Sequence, residues 1–540
     1  MAGWNFAELW ERVAERFGDA DALVQGTRRL TWAEMDARAN GVARYLLDEG
    51  AGHQDKVALY LYNGPEYMEA SFAAYKAGLV PVNTNYRYLD DELAYLWNNA
   101  DAIAVVFHSS FTDRVDHVRG RTPEVRQWLW VDDDGGECPD WAVPYEVAAA
   151  TTTERTEAPW GRSGDDILMI YTGGTTGMPK GVMWRQDDLV RATCGVGNAL
   201  FLDDPEAVGG PDAVVAALAG PGVPGLPACP LMHGTGWFTA NIYLTQAGSV
   251  VCLEDRHLDV PELLDTIERE GVGALTIVGD AFAKPIVKAL DANPGRWDLS
   301  SLLLISSSGV MWSEGSKHGL LAHNPGMLLI DSFSSSEAIG LGQSVSAAGA
   351  EEKTAHFTLG ANAKVFNDDG VPVEPGSGER GRVAVPGHQP IGYYKDPEKS
   401  AQTFITYEGA RYSMPGDYAT VEADGSITLL GRGSVCINTG GEKVFPEEVE
   451  EALKIHGHVA DAVVVGVPDE KFGEAITAVV EPGDQPIDEA ELIAHVKEHL
   501  AHYKAPKRVL TIDTIGRAPN GKVDYKRMKA YALDALGIDA

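Results

Sequence analysis

From Tyr171 to Gly181 the chain reads YTGGTTGMPKG, a run whose residue types suit phosphate chemistry. The hydroxyls of Thr172, Thr175 and Thr176 can donate to phosphate oxygens, and Lys180 adds a cation on a flexible stem. Gly173, Gly174 and Gly177 permit tight turns and close approach of the backbone to a ligand. Such a loop fits a polyphosphate, so the expectation is an ATP-using enzyme. It is not the common GxxxxGK[ST] phosphate loop, because Lys180 is followed by Gly181. Taken alone, the segment also reads as a structural turn.

Elements must hold this loop in place, and the apolar pattern around it supplies them. Leu168–Ile170 reads as a short strand entering the loop, and Asp187 or Asp188 as the cap of a helix after it. That places the loop at a strand end, where open α/β sheets put ligand sites. Earlier in the chain, Thr31 and Glu34 have capping-box spacing before Met35, Ala39, Val42 and Leu46, which share one helical face. Val57–Leu61, Val80–Val82 and Ile103–Phe107 read as strands, with a helix over Glu66–Ala77. Further strands are expected at Val250–Leu253, Leu275–Val278 and Leu302–Ile305, and helices at Pro261–Glu268 and Ala283–Leu290. This alternation predicts α/β layers. The Gly/Pro-rich interval 219–230 reads as a loop, and 415–442 as a turn-rich stretch. Beyond it, Pro446–Ile455 and Asp488–Leu500 read as helices and Val463–Val467 as a strand. A boundary near Arg432–Ser434 leaves about 100 residues, enough for a small domain.

The chain has 540 residues, of which 44% are hydrophobic, enough for several cores. Subtracting 79 acidic residues from 44 basic ones leaves a formal charge of -35. That field disfavours nucleic acid or an anionic membrane as a general partner, while a local basic pocket can still take a nucleotide. The cysteines at 138, 194, 229, 252 and 436 are scattered and lack metal-ligand spacing, so a reduced cytoplasm is the simplest setting. The N-terminal stretch has an acidic, helical pattern rather than that of a secretion signal. No apolar run approaches the roughly 18 residues of a spanning helix.

Several further marks follow in order: Asp331-Ser332-Phe333-Ser334-Ser335-Ser336-Glu337, Tyr412-Ser413-Met414-Pro415-Gly416-Asp417, Gly431-Arg432, Gly440-Gly441-Glu442-Lys443 and Pro519-Asn520-Gly521-Lys522. With YTGGTTGMPKG, this series resembles the adenylate-forming acyl-CoA synthetase family, which includes acyl-adenylating domains and luciferases. The resemblance spans almost the whole chain. It implies the adenylate-forming fold: a large multi-layer α/β N-terminal region, here 1–432, and a smaller mobile α+β C-terminal domain, 433–540. It also implies two half-reactions. ATP and a carboxylate give an acyl-adenylate and pyrophosphate, and coenzyme A then displaces AMP to form a thioester. The chemical logic is that AMP is a viable leaving group where oxide is not.

By the same resemblance, Thr172 to Lys180 handle the β and γ phosphates, and Glu337, with Thr176, holds Mg²⁺. Phe333 lies beside adenine, with Ser334 where relatives carry glycine. Ser308, Gly309, Asp331, Ser332 and Ser336 are counted with the ATP site. Asp417 takes the ribose hydroxyls, and Arg432 contacts the ribose or phosphate side of the nucleotide. Lys522 is the adenylation lysine, neutralising charge shared by the attacking carboxylate and the α-phosphate. Ser434 occupies the hinge position, where many relatives have Asp or Lys, and Gly440 and Gly441 belong to the coenzyme A side. His233 and Trp237, within PLMHGTGW, and Gly279 are assigned to the acyl pocket. Each also has an ordinary reading as a core, turn or surface residue.

Gly181 to Arg185, continuing into Gln186-Asp187-Asp188, resembles actinobacterial fatty-acyl and steroid-side-chain acyl-CoA synthetases. A lipid-like carboxylic acid is therefore expected, with its length and shape left open. Loading a separate acyl carrier protein is the alternative to coenzyme A; the absence of an attached carrier domain after Lys522 favours the latter. A monomer or a homodimer fits equally.

Overall fold

The computed structural model describes residues 3–172, 178–194, 210–310, 312–349, 355–360, 362–439, 442–469, 473–500, 502–518 and 521–538, without the side chains of Cys194, Arg432, Ser434, Asn438, Glu442 and Lys443. The chain packs as two compact units, Met1–Thr354 with Val385–Ser413, and Ala355–Ala384 with Met414–Ala540.

In the first unit, one sheet has the lateral order Arg28–Thr31, Asp21–Gln25, Ser249–Cys252, Pro224–Pro227, Ala274–Ile277, Leu304–Ser308, Leu328–Ser335 and Ala338–Ser346. It is parallel from Asp21–Gln25 through Leu328–Ser335 and antiparallel at both flanking pairs. A second sheet runs Gly392–Tyr393, Lys180–Arg185, Ile167–Thr172, Val80–Asn83, Lys56–Tyr60, Ala102–His108, Gln127–Val131 and Val143–Pro144. Its parallel strands read as continuous apolar runs because both faces are covered: all seven residues of Ala102–His108 are buried. The helix Trp32–Asp48 opens with the expected capping box, in which the Thr31 amide donates to Glu34 and the Glu34 amide to the Thr31 hydroxyl. No helix among the described residues is long and apolar enough to cross a membrane.

Two expectations need correction. The interval 219–230 contains the strand Pro224–Pro227, inserted in parallel between Ser249–Cys252 and Ala274–Ile277. Its Gly and Pro content hides it. Gly225 is required there because the Tyr243 ring lies on it, and an added methyl would come within 2.2 Å of that ring. The turn-rich stretch 415–442 likewise forms an antiparallel pair, Asp417–Val421 with Ile427–Arg432, and the short strand Ile437–Thr439. Smaller shifts also occur. The strand after Leu302 is Leu304–Ser308, and the helix after Arg185 starts at Gln186, with Asp187 and Asp188 in its first turn rather than at its cap.

In the second unit, the strands Val459–Asp469 and Gly473–Pro482 form a long antiparallel pair, and Gly473–Pro482 also pairs with Ile437–Thr439 and with Arg508–Thr511. Alternation along this pair assigns its two faces. Ala462, Val464, Ile476, Ala478 and Val480 pack with Val449, Leu453, Leu492 and Val496 of helices Pro446–Lys454 and Glu489–His499. Val463, Val465, Val467 and Val479 pack instead with Met528 and Ala532 of Tyr525–Leu536. Both faces of the sheet are thus buried, which is why the strand Val463–Val467 is so apolar.

Candidate active site

The Gly/Thr run closes a hairpin. Ile167–Thr172 and Lys180–Arg185 pair antiparallel, with Thr172 opposite Lys180. Gly173, Gly174, Thr175, Thr176 and Gly177 lie outside the described residues, so the structure positions the two ends of this loop. Lys180 is ion-paired with Asp396, the N-cap of the helix Pro397–Thr403. The Lys180 ammonium and the Lys399 amide hold the Asp396 carboxyl below its ordinary range.

Side chains from the rest of the unit gather beside this hairpin. Ser336 and Glu337 form the turn between Leu328–Ser335 and Ala338–Ser346, where Ser335 pairs with Ala338. Glu337 is only 8% exposed, and the Tyr393 hydroxyl donates to its Oε1 at 2.8 Å. Its carbonyl accepts from the Ser413 hydroxyl at 2.5 Å, and the Ser336 carbonyl accepts from the Trp184 indole at 2.9 Å. Among the described residues the carboxylate is oriented by a neutral donor and has no cation paired with it, and oxygen donors of this kind suit Mg²⁺.

The helix Gly234–Thr245 begins against the same turn. A methyl added at Gly234 would lie 3.4 Å from Ile170 Cδ1 and 3.6 Å from Ser336 Oγ, so the lack of a side chain keeps this junction close. His233 is the N-cap residue of that helix. Trp237, one turn in, is fully buried and meets the Tyr67 ring edge-on at 5.6 Å, which makes it part of the core beneath the site.

Parallel strand ends complete the arrangement. Ser308 pairs with Ser332 across Leu304–Ser308 and Leu328–Ser335, and Phe333 follows, largely buried. Gly309 has φ +94, and a methyl there would approach Thr235 Oγ1 and Val278 Cγ1 at 3.8 and 4.0 Å. Gly279, also at positive φ, caps the helix Asp280–Ala292 and donates its amide to Ser307 Oγ at 2.8 Å. Asp331 lies just before Ser332 on the same strand. It is paired at 3.4 Å with Lys317, itself 3% exposed, and burial pushes the Asp331 carboxyl up to about 6 despite that cation, with Asp280 adding to the rise.

Two asparagines, Asn83 buried and Asn63 half-buried, were not among the expected site residues. Asn83 accepts from the Tyr171 amide at 2.5 Å and donates to the carbonyls of Tyr171 and Met232 at 3.0 and 2.6 Å. Asn63 accepts from the Leu231 amide at 2.7 Å and donates to the Cys229 carbonyl at 3.0 Å. Together they tie the 229–232 segment to the ends of Lys56–Tyr60, Val80–Asn83 and the first hairpin strand. Their only sequence signal is a polar amide just after an apolar strand. Cys229, in the same segment, is buried, which pushes its thiol up to about 12 and disfavours the thiolate.

In the second unit, Asp417 and Arg432 are opposite each other at the end of their strand pair, and Asp417 is largely buried. The backbone closes tightly here: a methyl on Gly431, at φ +118, would fall 2.2 Å from the Glu447 carboxylate. The side chains of Arg432 and Ser434, and both Gly440 and Gly441, lie outside the described residues. Lys522 is exposed, in a turn where the Gly521 amide donates to Ala518 at 2.7 Å and the Ala518 amide to the Lys522 carbonyl at 2.9 Å. Arg517 anchors that turn, forking onto Asp461 at 2.5 and 2.8 Å and donating to the Gly521 carbonyl at 3.1 Å. Burial opposes charge on Asp461, but the Arg517 fork overcomes it and holds the carboxyl below its ordinary range. The Arg517–Asp461 pair was also missed from sequence, since its partners are 56 residues apart.

Comparison with known proteins identifies the family of the chain. The AMP-binding enzyme family model matches residues 10–394, and the AMP-binding enzyme C-terminal domain model matches 448–522. The chain is 41% identical over 534 residues, 97% of its length and 96% of the relative's, to the medium/long-chain-fatty-acid--CoA/3-oxocholest-4-en-26-oate--CoA ligase of Mycolicibacterium smegmatis. It is 40% identical to the 3-oxocholest-4-en-26-oate--CoA ligase of Rhodococcus rhodochrous, covering 99% and 96% of the two chains. In fold it is similar to the crystal structure of the anthranilate CoA ligase AuaEII in complex with anthranoyl-AMP, with a TM-score of 0.84, 22% identity, and 100% and 99% of the chains covered. With matches along nearly its whole length, this chain belongs to the AMP-binding enzyme family.

Proposed function

We propose that this enzyme activates a lipid-like carboxylic acid with ATP, forming an acyl-adenylate, and transfers the acyl group to coenzyme A. The observation that carries the proposal is the convergence of the Thr172–Lys180 hairpin ends, the Gly234 helix start and the Ser336–Glu337 turn on one strand-end region of a chain 41% identical to named fatty-acid and steroid-acid ligases. That identity supports a medium- or long-chain fatty acid, or a steroid side-chain acid, over acetate.

The substrate carboxylate is already an anion at neutral pH, so the first step needs charge neutralisation rather than a general base. Lys180 supplies a cation beside the phosphates, together with the amides and hydroxyls of its loop. Glu337, with Thr176, would hold Mg²⁺, which when bound neutralises phosphate charge. Tyr393 keeps the Glu337 carboxylate oriented for that role. Phe333 offers its ring to adenine, with Ser308, Gly309, Ser332, Ser336 and Asp331 around the nucleotide, Asp331 acting through its buried pair with Lys317. Asp417 accepts from the ribose hydroxyls with Arg432 alongside. Lys522 neutralises the charge shared by the attacking carboxylate and the α-phosphate, then leaves when the 433–540 domain moves about Ser434 and brings Gly440 and Gly441 to the coenzyme A side. His233 and Gly279 border the acyl pocket, which Trp237 supports from the core. The proposed setting is the cytoplasm.

The test is a panel of short, medium, long, aromatic and steroid-derived acids with ATP and Mg²⁺, with and without coenzyme A, followed by mass spectrometry. Acyl-AMP from a lipid-like acid, converted to acyl-CoA when coenzyme A is added, is the expected result. Absence of acid-dependent pyrophosphate release from folded protein would end the proposal, and acyl-AMP that is passed only to a carrier protein would replace its second half.

A further inference from the structure

The second unit holds a histidine cluster that the ATP chemistry leaves unused. His456 and His458 lie in the turn between helix Pro446–Lys454 and strand Val459–Asp469, while His495 and His499 are one turn apart on helix Glu489–His499. The His456 ring is central, with centroids 4.9 Å from His458 and 5.0 Å from His495; His495 is 4.3 Å from His499. Glu491, from the same helix, reaches His456, with Oε1 3.4 Å from Nε2.

Two separate groups in this cluster could serve as ligands. His456, His458 and Glu491 each present a ligand atom, all within 4.8 Å of one another, and so do His495, Glu498 and His499. The first group is the better built. Both of its histidines are half-buried and only Glu491 is exposed, whereas in the second group only His495 is half-buried and both Glu498 and His499 are exposed. His458 Nδ1 is buried without a hydrogen-bond partner among the described residues, an arrangement that is unfavourable unless something occupies it. In the second group, His495 Nε2 is engaged by the Ala452 carbonyl at 3.0 Å and His499 Nδ1 by the His495 carbonyl at 2.8 Å.

We propose that His456, His458 and Glu491 form a site for a zinc-class divalent ion, with water completing a tetrahedral shell. Two imidazoles and a carboxylate are a borderline donor set that suits Zn²⁺ better than Mg²⁺. Metal–ligand bonds of about 2.0–2.1 Å require donors roughly 3.3 Å apart at the edge of a tetrahedron. The 3.4 Å between His456 Nε2 and Glu491 Oε1 already matches that edge. Binding through Nε2 moves the proton to Nδ1 and ends the long 3.4 Å contact from the His458 amide, a small local adjustment. The ion would join the 456–458 turn to a helix that shares an apolar core with Pro446–Lys454, and so would brace the C-terminal unit.

The full chain, stripped of metal and carrying no histidine tag, is titrated with Zn²⁺ by calorimetry and with Co²⁺ by visible absorption, in excess Mg²⁺. Expected are one Zn²⁺ per chain, the intense ligand-field bands of tetrahedral Co²⁺, and a higher melting temperature with Zn²⁺. His458→Asn and Glu491→Gln should each weaken Zn²⁺ binding by about tenfold or more, while Glu498→Gln leaves it unchanged. No Zn²⁺ binding by the wild type, or only the weak spectrum of octahedral Co²⁺, would overturn the site without recourse to variants that might misfold. Loss of binding in Glu498→Gln but not in Glu491→Gln would overturn it too, because the ion would then sit on the helix surface.

Discussion

At the level of single residues, the exposed Lys522 and the buried Asp331 make opposite demands on their surroundings. Lys522 is presented on a turn, so its loss should affect chemistry more than folding. Lys522→Ala is expected to slow acyl-AMP formation by roughly 10²–10³-fold, the scale of a lost transition-state charge contact, while conversion of supplied acyl-AMP to thioester is largely kept. Equal damage to both half-reactions, measured by rapid quench, would contradict separate roles in the two steps. Asp331 matters for pH dependence. Its folded value of about 6 lies above the ordinary 3.8, so the folded state holds the proton more tightly. The stability it contributes is complete below 3.8 and is lost as pH rises through about 6. Relative to Asp331→Asn, which cannot titrate, the wild type should lose on the order of 2 kcal/mol between pH about 4 and about 7. Urea unfolding of both proteins across that range tests this, and parallel curves would disprove it.

At the level of elements, the site depends on segments that hold others in place. Asn83 and Asn63 pin the first hairpin strand and the 229–232 segment through main-chain groups, so neither could be found by looking for catalytic residue types. The Arg517–Asp461 fork does the same for the Lys522 turn, planar against planar. Arg517→Lys keeps the charge but loses the fork and its reach to Gly521. It should destabilise the protein by about 1–3 kcal/mol and lower kcat for adenylation several-fold, with little change in KM for ATP. The thioester half-reaction from supplied acyl-AMP should stay near wild type; a variant impaired equally in both steps would mark Arg517 as generally structural.

At the level of the whole molecule, the net charge of -35 dominates. The self-repulsion of so many carboxylates opposes compaction, and salt screens it over about 10 Å at 0.1 M. The melting temperature is therefore expected to rise by several degrees between low salt and about 0.5 M NaCl. A flat or falling profile in differential scanning calorimetry would show that local ion pairs, such as Lys76 with Glu11 and Asp36, outweigh the net field.

What the amino-acid sequence determined by itself was whatever depends on neighbours along the chain. The capping box at Thr31 and Glu34, the apolar parallel strands, the helix after Asp488 and the ordered series of marks from Tyr171 to Lys522 could all be read directly. Tertiary structure decided what depends on partners far apart. Pro224–Pro227 is a strand because two other strands and the Tyr243 ring enclose it, against its own local preference. Asp331 is set by its burial and by the opposing Lys317, Glu337 is oriented by Tyr393, and Lys180 by Asp396. In each case the residue type was legible, while its charge state or orientation came from a side chain that only folding brings near.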